Sequence, residues 1–234
     1  AFGNVLIFGD AAPAGGTVAI VGHTGSGKTT LVHLLSRLLE VDPETIFIDG
    51  RDITTIPLAE LRSKIALVPQ ESFLFSLTLR ENIAFGAADG DGVPVEEAAH
   101  LAGLQSEIES FPAGFETIIG ERGINLSGGQ RQRTALARAL AANPKILILD
   151  DAFSSVDTHT EEEVLQNLRN VLQKRTAIMI SHRVSTVKHA DKILVLQEGR
   201  IVEEGTHEEL VSRQGYYAEL YEKQLLMEEL EEFG

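Results

Sequence analysis

The stretch TVAIVGHTGSGKTTLVHLL, residues 17–35, decides the fold. It begins as the strand-like run TVAIV, passes into the helical pattern TTLVHLL, and between them GHTGSGKT (Gly22–Thr29) fits the spacing G-x-x-x-x-G-K-[ST] in the context that spacing requires. Glycines let backbone N–H groups curl around a β-phosphate at a helix N-terminus. A lysine adds positive charge to the β- and γ-phosphates, and a threonine hydroxyl ligates Mg²⁺. The candidate binding residues are therefore Gly22, His23, Thr24, Gly25, Ser26, Gly27, Lys28, Thr29 and Thr30. The implied ligand is a nucleoside triphosphate; the motif alone does not separate an ATPase from a GTPase or a kinase.

Outward from this loop, further strand candidates are TIFIDG (45–50), KIALVPQ (64–70), KILILDD (145–151), TAIMISH (176–182) and KILVLQ (192–197). Runs that are apolar on both faces suit strands covered by helices on both sides, as in parallel α/β sheets. Helical patterns lie between them: KTTLVHLLSRLL, a Gln- and Arg-rich helix from about Ser127 to Ala142, and THTEEEVLQNLRNVLQ. The alternation implies right-handed crossovers. LVLQEGRIVEEG reads as a β-hairpin turning at Glu198-Gly199, and the last stretch as helix broken near Gly215. Residues from about 71 to 125, with the Gly/Asp-rich break AFGAADGDGVP, read as a mostly helical insertion.

A second stretch, ILILDDAFSSVD (146–157), ends an apolar strand in two aspartates. Asp150 falls at the carboxyl end of that strand, where the phosphate loop also lies, and is a candidate Mg²⁺ ligand with Thr29. Asp151 follows on the γ-phosphate side, where a base orients an attacking water.

Composition narrows the class. The chain has 234 residues, 43% of them hydrophobic, enough for a sizeable core. The 20 basic and 35 acidic residues give a net charge of -15, which argues against a nucleic-acid binder. The acidic runs, such as Glu161, Glu162 and Glu163, read as solvated helix surface. With no cysteine, disulfides and thiolate sites are excluded and a reducing compartment is permitted. No apolar run approaches the roughly 18–20 residues that cross a bilayer, so no direct membrane insertion is expected. The start at AFGNV, without methionine, is compatible with a domain of a longer polypeptide.

The discriminating motif is LSGGQRQR, Leu126–Arg133. Ser-Gly-Gly at the start of an amphipathic helix makes a second anion-binding helix terminus, which a single site has no need of. Here the sequence resembles the nucleotide-binding domains of ABC (ATP-binding cassette) transporters, whose signature is LSGGQ. The resemblance runs from about Gly15 to the C-terminus. It implies a P-loop NTPase fold, with a mostly parallel sheet flanked by helices, a helical subdomain and a reduced N-terminal antiparallel β part. The division it suggests is a RecA-like core at about 1–70 and 143–214, a helical subdomain at about 71–142 and a C-terminal helical tail at about 215–234. It implies ATP and Mg²⁺ as cofactors, and two domains paired head to tail with each ATP between one phosphate loop and the other's signature. Ser127, Gly128, Gly129 and Gln130 would then contact ATP bound to the partner. Gln70 resembles the Q-loop glutamine that touches Mg²⁺ or water, His182 the switch histidine, and Asp157 the D-loop aspartate that couples the two sites. FLFSLTLRENIAFG followed by GERGINLSGGQ, and the tail GTHEELVSRQGYYAELYEKQ, resemble the exporter branch. That branch implies transmembrane domains as partners and a place at the cytoplasmic face of the cell membrane.

Two departures from the family stand out. AFGNVLIFGDAAPAGG leaves too few residues before Gly22 for the full antiparallel arrangement and contains no Tyr to stack on adenine, with Phe2 or Phe8 as substitutes. And Asp151 stands where the hydrolysing domains carry Glu, shorter by one methylene, roughly 1.5 Å, against a base-to-proton reach of about 2.6–3.2 Å. The expectation is ATP binding with weakened hydrolysis at this chain's own site, as in the degenerate half of a heterodimer whose partner bears Glu. A homodimer that turns over slowly, an ATP-gated dimerisation module, and an ABC-type ATPase without a membrane partner are the alternatives.

Overall fold

Why the strand candidates are apolar throughout becomes clear once they are placed: their alternate residues enter different cores. A computed structural model describes residues 5–7, 10–12, 14–87, 92–120 and 124–232, with only the backbone of 5–7, 10, 11 and 228–232. Phe2, Phe8, residues 88–91 of the Gly/Asp-rich break, and Glu121, Arg122 and Gly123 ahead of the signature lie outside the described residues.

In chain order the elements begin with β1 (Val5–Ile7), β2 (Asp10–Ala12), β3 (Thr17–Val21), α1 (Lys28–Leu35), β4 (Ile46–Ile48), β5 (Arg51–Asp52), α2 (Leu58–Arg62) and β6 (Ile65–Val68). Helices α3 (Leu79–Ala84), α4 (Val95–Leu101), α5 (Gln105–Ser110) and α6 (Gly128–Ala141) follow. The chain then returns to β7 (Ile146–Asp150), α7 (Thr158–Leu172), β8 (Thr176–Ile180), α8 (Val184–Val187), β9 (Lys192–Gln197), β10 (Arg200–Gly205), α9 (His207–Ser212) and α10 (Tyr216–Glu232).

Six strands form the main sheet in the order β10-β9-β3-β8-β7-β6, parallel except for the edge strand β10. Ile146 and Ile148 of β7 pack with Val18, Ile20 and α1 on one face. Leu147 and Leu149 pack with α6 and α7 on the other. β7 thus buries both its faces, whereas the edge strand β6 is half-buried over most of its length.

One strand candidate sits elsewhere. TIFIDG supplies β4, which joins a separate antiparallel sheet of order β2-β1-β4-β5. The N-terminal pair β1/β2 is completed by β4 and β5, from beyond the phosphate loop, which is how a short N-terminal segment suffices for a four-stranded sheet.

α1 is shorter than its sequence pattern. It stops at Leu35, because Arg37 turns to φ 47° and its guanidinium donates to the carbonyls of Ile53 and Ile56. Leu38 and Leu39 are left exposed. The hairpin turn at Glu198-Gly199 has both residues at positive φ, as the two-residue turn of a right-twisted hairpin requires.

Glu161 corrects the reading of the acidic run as solvated surface: it is 1% exposed. It lies on the α7 stripe of Val164, Leu168 and Leu172, and its carboxylate takes hydrogen bonds from Arg183 and the Thr186 hydroxyl.

Candidate functional site

The parallel register sets the phosphate loop and the two aspartates on the same edge of the sheet. Ile180 of β8 pairs with Ile20 of β3 on one side and with Asp150 of β7 on the other. Gly22 therefore begins its turn at the same end of the sheet as Asp150, with β8 between their strands. Gly22 is required by space as well as conformation: a Cβ there would lie 2.2 Å from the Leu196 carbonyl oxygen. The loop leans on the hairpin turn, with the Gly199 N–H donating to the Ser26 carbonyl at 3.0 Å.

Some of the loop's donors have no acceptor among the described residues. Helix α1 begins at Lys28 with Gly27 as its N-cap and no side-chain cap, so its first N–H groups are free for an anion. The buried Ser26 hydroxyl has no hydrogen-bond partner among the described residues. Lys28 is buried, and its ammonium donates to the carbonyls of Gly22 at 2.9 Å and His23 at 3.0 Å. Burial pulls the Lys28 ammonium below its ordinary range, against the opposing charges of Asp151 and Asp150.

Asp150 and Asp151 are 2% and 7% exposed. The Thr29 hydroxyl lies 3.4 Å from Asp150 Oδ1, a long contact. Burial pushes the Asp150 carboxyl up; the Thr29 contact, His33 and Lys28 oppose this, and the Asp151 charge adds to it. Two adjacent buried carboxylates, with the Thr29 hydroxyl beside Asp150 and the Lys28 ammonium near both, are hard oxygen donors. That set fits Mg²⁺ held with water and a triphosphate rather than in an all-protein cage.

Asp151 is engaged by His182. Its Oδ1 accepts the His182 backbone N–H at 3.2 Å, and Oδ2 lies 3.2 Å from the imidazole Nε2. The Asp151 backbone stands at φ 45°, an uncommon conformation for a non-glycine residue, with its N–H donating to Ile180 O at 3.0 Å.

Gln70 follows the end of β6, which stops at Val68 because Pro69 has no N–H to donate. Gln70 is exposed, and its backbone carbonyl accepts from Gln132 Nε2 at 3.3 Å. Ser127 and Gln130 cap each other: Ser127 Oγ accepts the Gln130 N–H at 3.2 Å and Gln130 Oε1 accepts the Ser127 N–H at 2.9 Å. Asp157 caps α7 by accepting the Thr160 N–H at 3.0 Å. Gly128 and Gly129 press on the segment after Asp151, since a Cβ at Gly129 would lie 2.9 Å from Ser155 O. The loop, Asp150, Asp151 and His182 are thus brought together. Among the described residues, no hydrogen bond joins Ser127, Gly128, Gly129, Gln130 or Asp157 to the phosphate loop.

Sequence reasoning missed Gln132. Its buried amide donates to Ser154 Oγ at 2.7 Å and Asp151 O at 3.4 Å, and its Oε1 accepts the Ser155 N–H at 2.9 Å. It ties the signature helix, Gln70 and the loop after Asp151 into one unit. The available signal was its helical position: Gln132 shares the buried stripe of Gly129, Leu136 and Leu140.

Comparison with known proteins resolves which nucleotide-binding family this edge belongs to. A family model described as ABC transporter matches residues 11–154. The chain belongs to the ABC transporter family. This ABC cassette is 51% identical over 213 residues to an ATP-dependent lipid A-core flippase of Methylococcus capsulatus, covering 91% of the chain and 35% of that protein. It is 47% identical over 210 residues to ATP-binding cassette sub-family B member 6 of Xenopus tropicalis, covering 90% of the chain and 25% of that protein. A solved bacterial Atm1-family ABC exporter with ATP bound superposes with a TM-score of 0.84 at 43% identity, covering 95% of the chain and 41% of that structure. The cassette spans only a third or so of the flippase and less of the sub-family B protein, and none of its described helices is long and apolar enough to cross a membrane.

Proposed function

We propose that the chain is the ATP-driven motor domain of an ABC exporter, whose own nucleotide site binds ATP well and hydrolyses it slowly. The observation that carries this reading is the Asp151 carboxylate, buried beside Asp150 and held by both the backbone and the ring of His182. At this position a base must reach the attacking water, and an aspartate already drawn onto His182 is one methylene short of doing so.

In this reading the α1 N-terminus, Ser26 and Lys28 bind the phosphates, with the Lys28 ammonium leaving the Gly22 and His23 carbonyls for the triphosphate. Thr29 and Asp150 would hold Mg²⁺, and Gln70 would touch it or its water. When bound there, Mg²⁺ would offset the buried carboxylates and the charge of the β- and γ-phosphates. His182 contacts the γ-phosphate and Asp151 orients water weakly. Ser127, Gly128, Gly129 and Gln130 cover the ATP of a second cassette, and Asp157 couples the two sites. The partners are therefore a second nucleotide-binding domain carrying Glu at the matching position and the transmembrane domains of an exporter. Closure on ATP and reopening after hydrolysis drive those domains from the cytoplasmic face of the membrane. The motor domain divides into a core at about 1–70 and 143–214, a helical subdomain at about 71–142 and a C-terminal helical tail at about 215–234.

The test is an equimolar mixture of this chain with a Glu-bearing cassette. The expected result is ATP turnover well above the sum of the two measured alone, lost when Gly129→Ala is introduced in this chain. Turnover equal to the sum would remove the composite-site reading and favour an ATP-gated dimerisation module.

A further inference from the structure

The segment that carries His182 is held from both sides, and one holder is the C-terminal helix. On one side the Arg183 guanidinium donates to the Val156 carbonyl and to the buried Glu161. On the other, Gln224 of α10 brackets the peptides on either side of Arg183. Its Nε2 donates to the His182 carbonyl, and its Oε1 accepts the Val184 N–H at 2.6 Å. Helix α8 starts at Val184, and its N-cap Arg183 supplies no side-chain cap. Gln224 therefore caps α8 from a different helix, satisfying a donor that α8 leaves orphaned.

Gln224 is well anchored for this task. It lies two turns along α10 from Tyr217, which is fully buried and whose hydroxyl lies 2.8 Å from His207 Nδ1. Glu203 of β10 accepts the Tyr216 N–H at 2.6 Å, fixing the start of α10. Leu220 and Tyr221, between these points, pack on the same apolar cluster. The His182 peptide is thus fixed at both ends, its N–H by Asp151 and its carbonyl by Gln224.

We infer that Gln224 is a positioning residue for His182, making α10 a mechanical input to the nucleotide site. The inference rests on the proposed role of His182 at the γ-phosphate, because only then does a shifted ring change turnover. Without the amide, the Val184 N–H loses its acceptor and the His182 carbonyl its donor, so the 182–184 backbone has a second conformation open to it. A carboxylate at position 224 keeps the acceptor for Val184 and loses the donor to His182, which separates the two halves of the contact.

The test uses the chain as given and its Asp151→Glu form, each with Gln224→Ala and Gln224→Glu. The readouts are the ring-nitrogen NMR shifts of His182, assigned with His182→Ala, and ATP turnover. The expected result for Gln224→Ala is a displaced His182 ring signal and a kcat lower by about tenfold, with KM for ATP within about twofold. Gln224→Glu should fall between parent and Gln224→Ala, with a melting temperature close to the parent's. An unmoved His182 signal in Gln224→Ala would overturn the inference whatever the turnover. A displaced signal with unchanged kcat in the Asp151→Glu form would leave the contact real and remove the role of His182 in turnover.

Discussion

Both oxygens of the Asp151 carboxylate face His182, one accepting its backbone N–H and the other 3.2 Å from its Nε2. The proposed base is therefore coupled to the proposed switch histidine through two contacts within the chain.

Lys28→Ala should weaken ATP binding by at least about tenfold, or roughly 1.4 kcal/mol, because a buried ammonium aimed at the loop is lost. Burial already holds the Lys28 ammonium below its ordinary range, so its removal should leave the melting temperature unchanged or higher. Titration of a fluorescent ATP analogue and thermal unfolding check the two parts separately.

Gly129→Ala should spare this chain's own ATP affinity, to within about twofold, while abolishing its ability to stimulate a Glu-bearing partner. The reason is steric: the new Cβ would stand 2.9 Å from Ser155 O and push the signature helix off the segment after Asp151. Binding measured on the chain alone, beside turnover of the mixture, distinguishes the two effects.

Glu107→Gln should lower stability by about 3 kcal/mol near neutral pH, the scale for breaking a largely buried pair, read as a fall in Tm of roughly 6–12 °C. Arg133 donates to the Glu107 carboxylate and to the Gly103 carbonyl, joining α6 to α5. Burial pushes the Glu107 carboxyl up, and the Arg133 hydrogen bond and charge outweigh it, leaving it below its usual range. A depressed carboxyl contributes stability that is present above its unfolded pKa, about 4.3, and lost as pH falls through the lower folded value. The gap between parent and variant should therefore narrow below about pH 4.

How much of this was legible beforehand depends on how local the signal is. The phosphate loop, the strand ending in Asp150 and the capped start of α6 are set by neighbours within a few residues, so their spacing announces them. TIFIDG looks like the other apolar runs because burial, not sheet membership, writes that pattern; its pairing with β1 is a contact across the phosphate loop. Glu161 and Gln132 are polar residues on apolar stripes, and reading charge runs as surface hides the first while the signature hides the second. The bracket that Gln224 places around Arg183 joins residues some forty positions apart, and no periodicity in α10 points to it.

The proposed slow hydrolysis turns on one methylene at position 151. The most direct measurement is single-turnover ATP hydrolysis by the chain and by Asp151→Glu under saturating ATP and Mg²⁺. General-base and positioning effects are worth about 10²- to 10⁴-fold. The Glu variant is expected to be at least about tenfold faster, with ATP affinity unchanged. Equal rates for the two proteins would contradict the account.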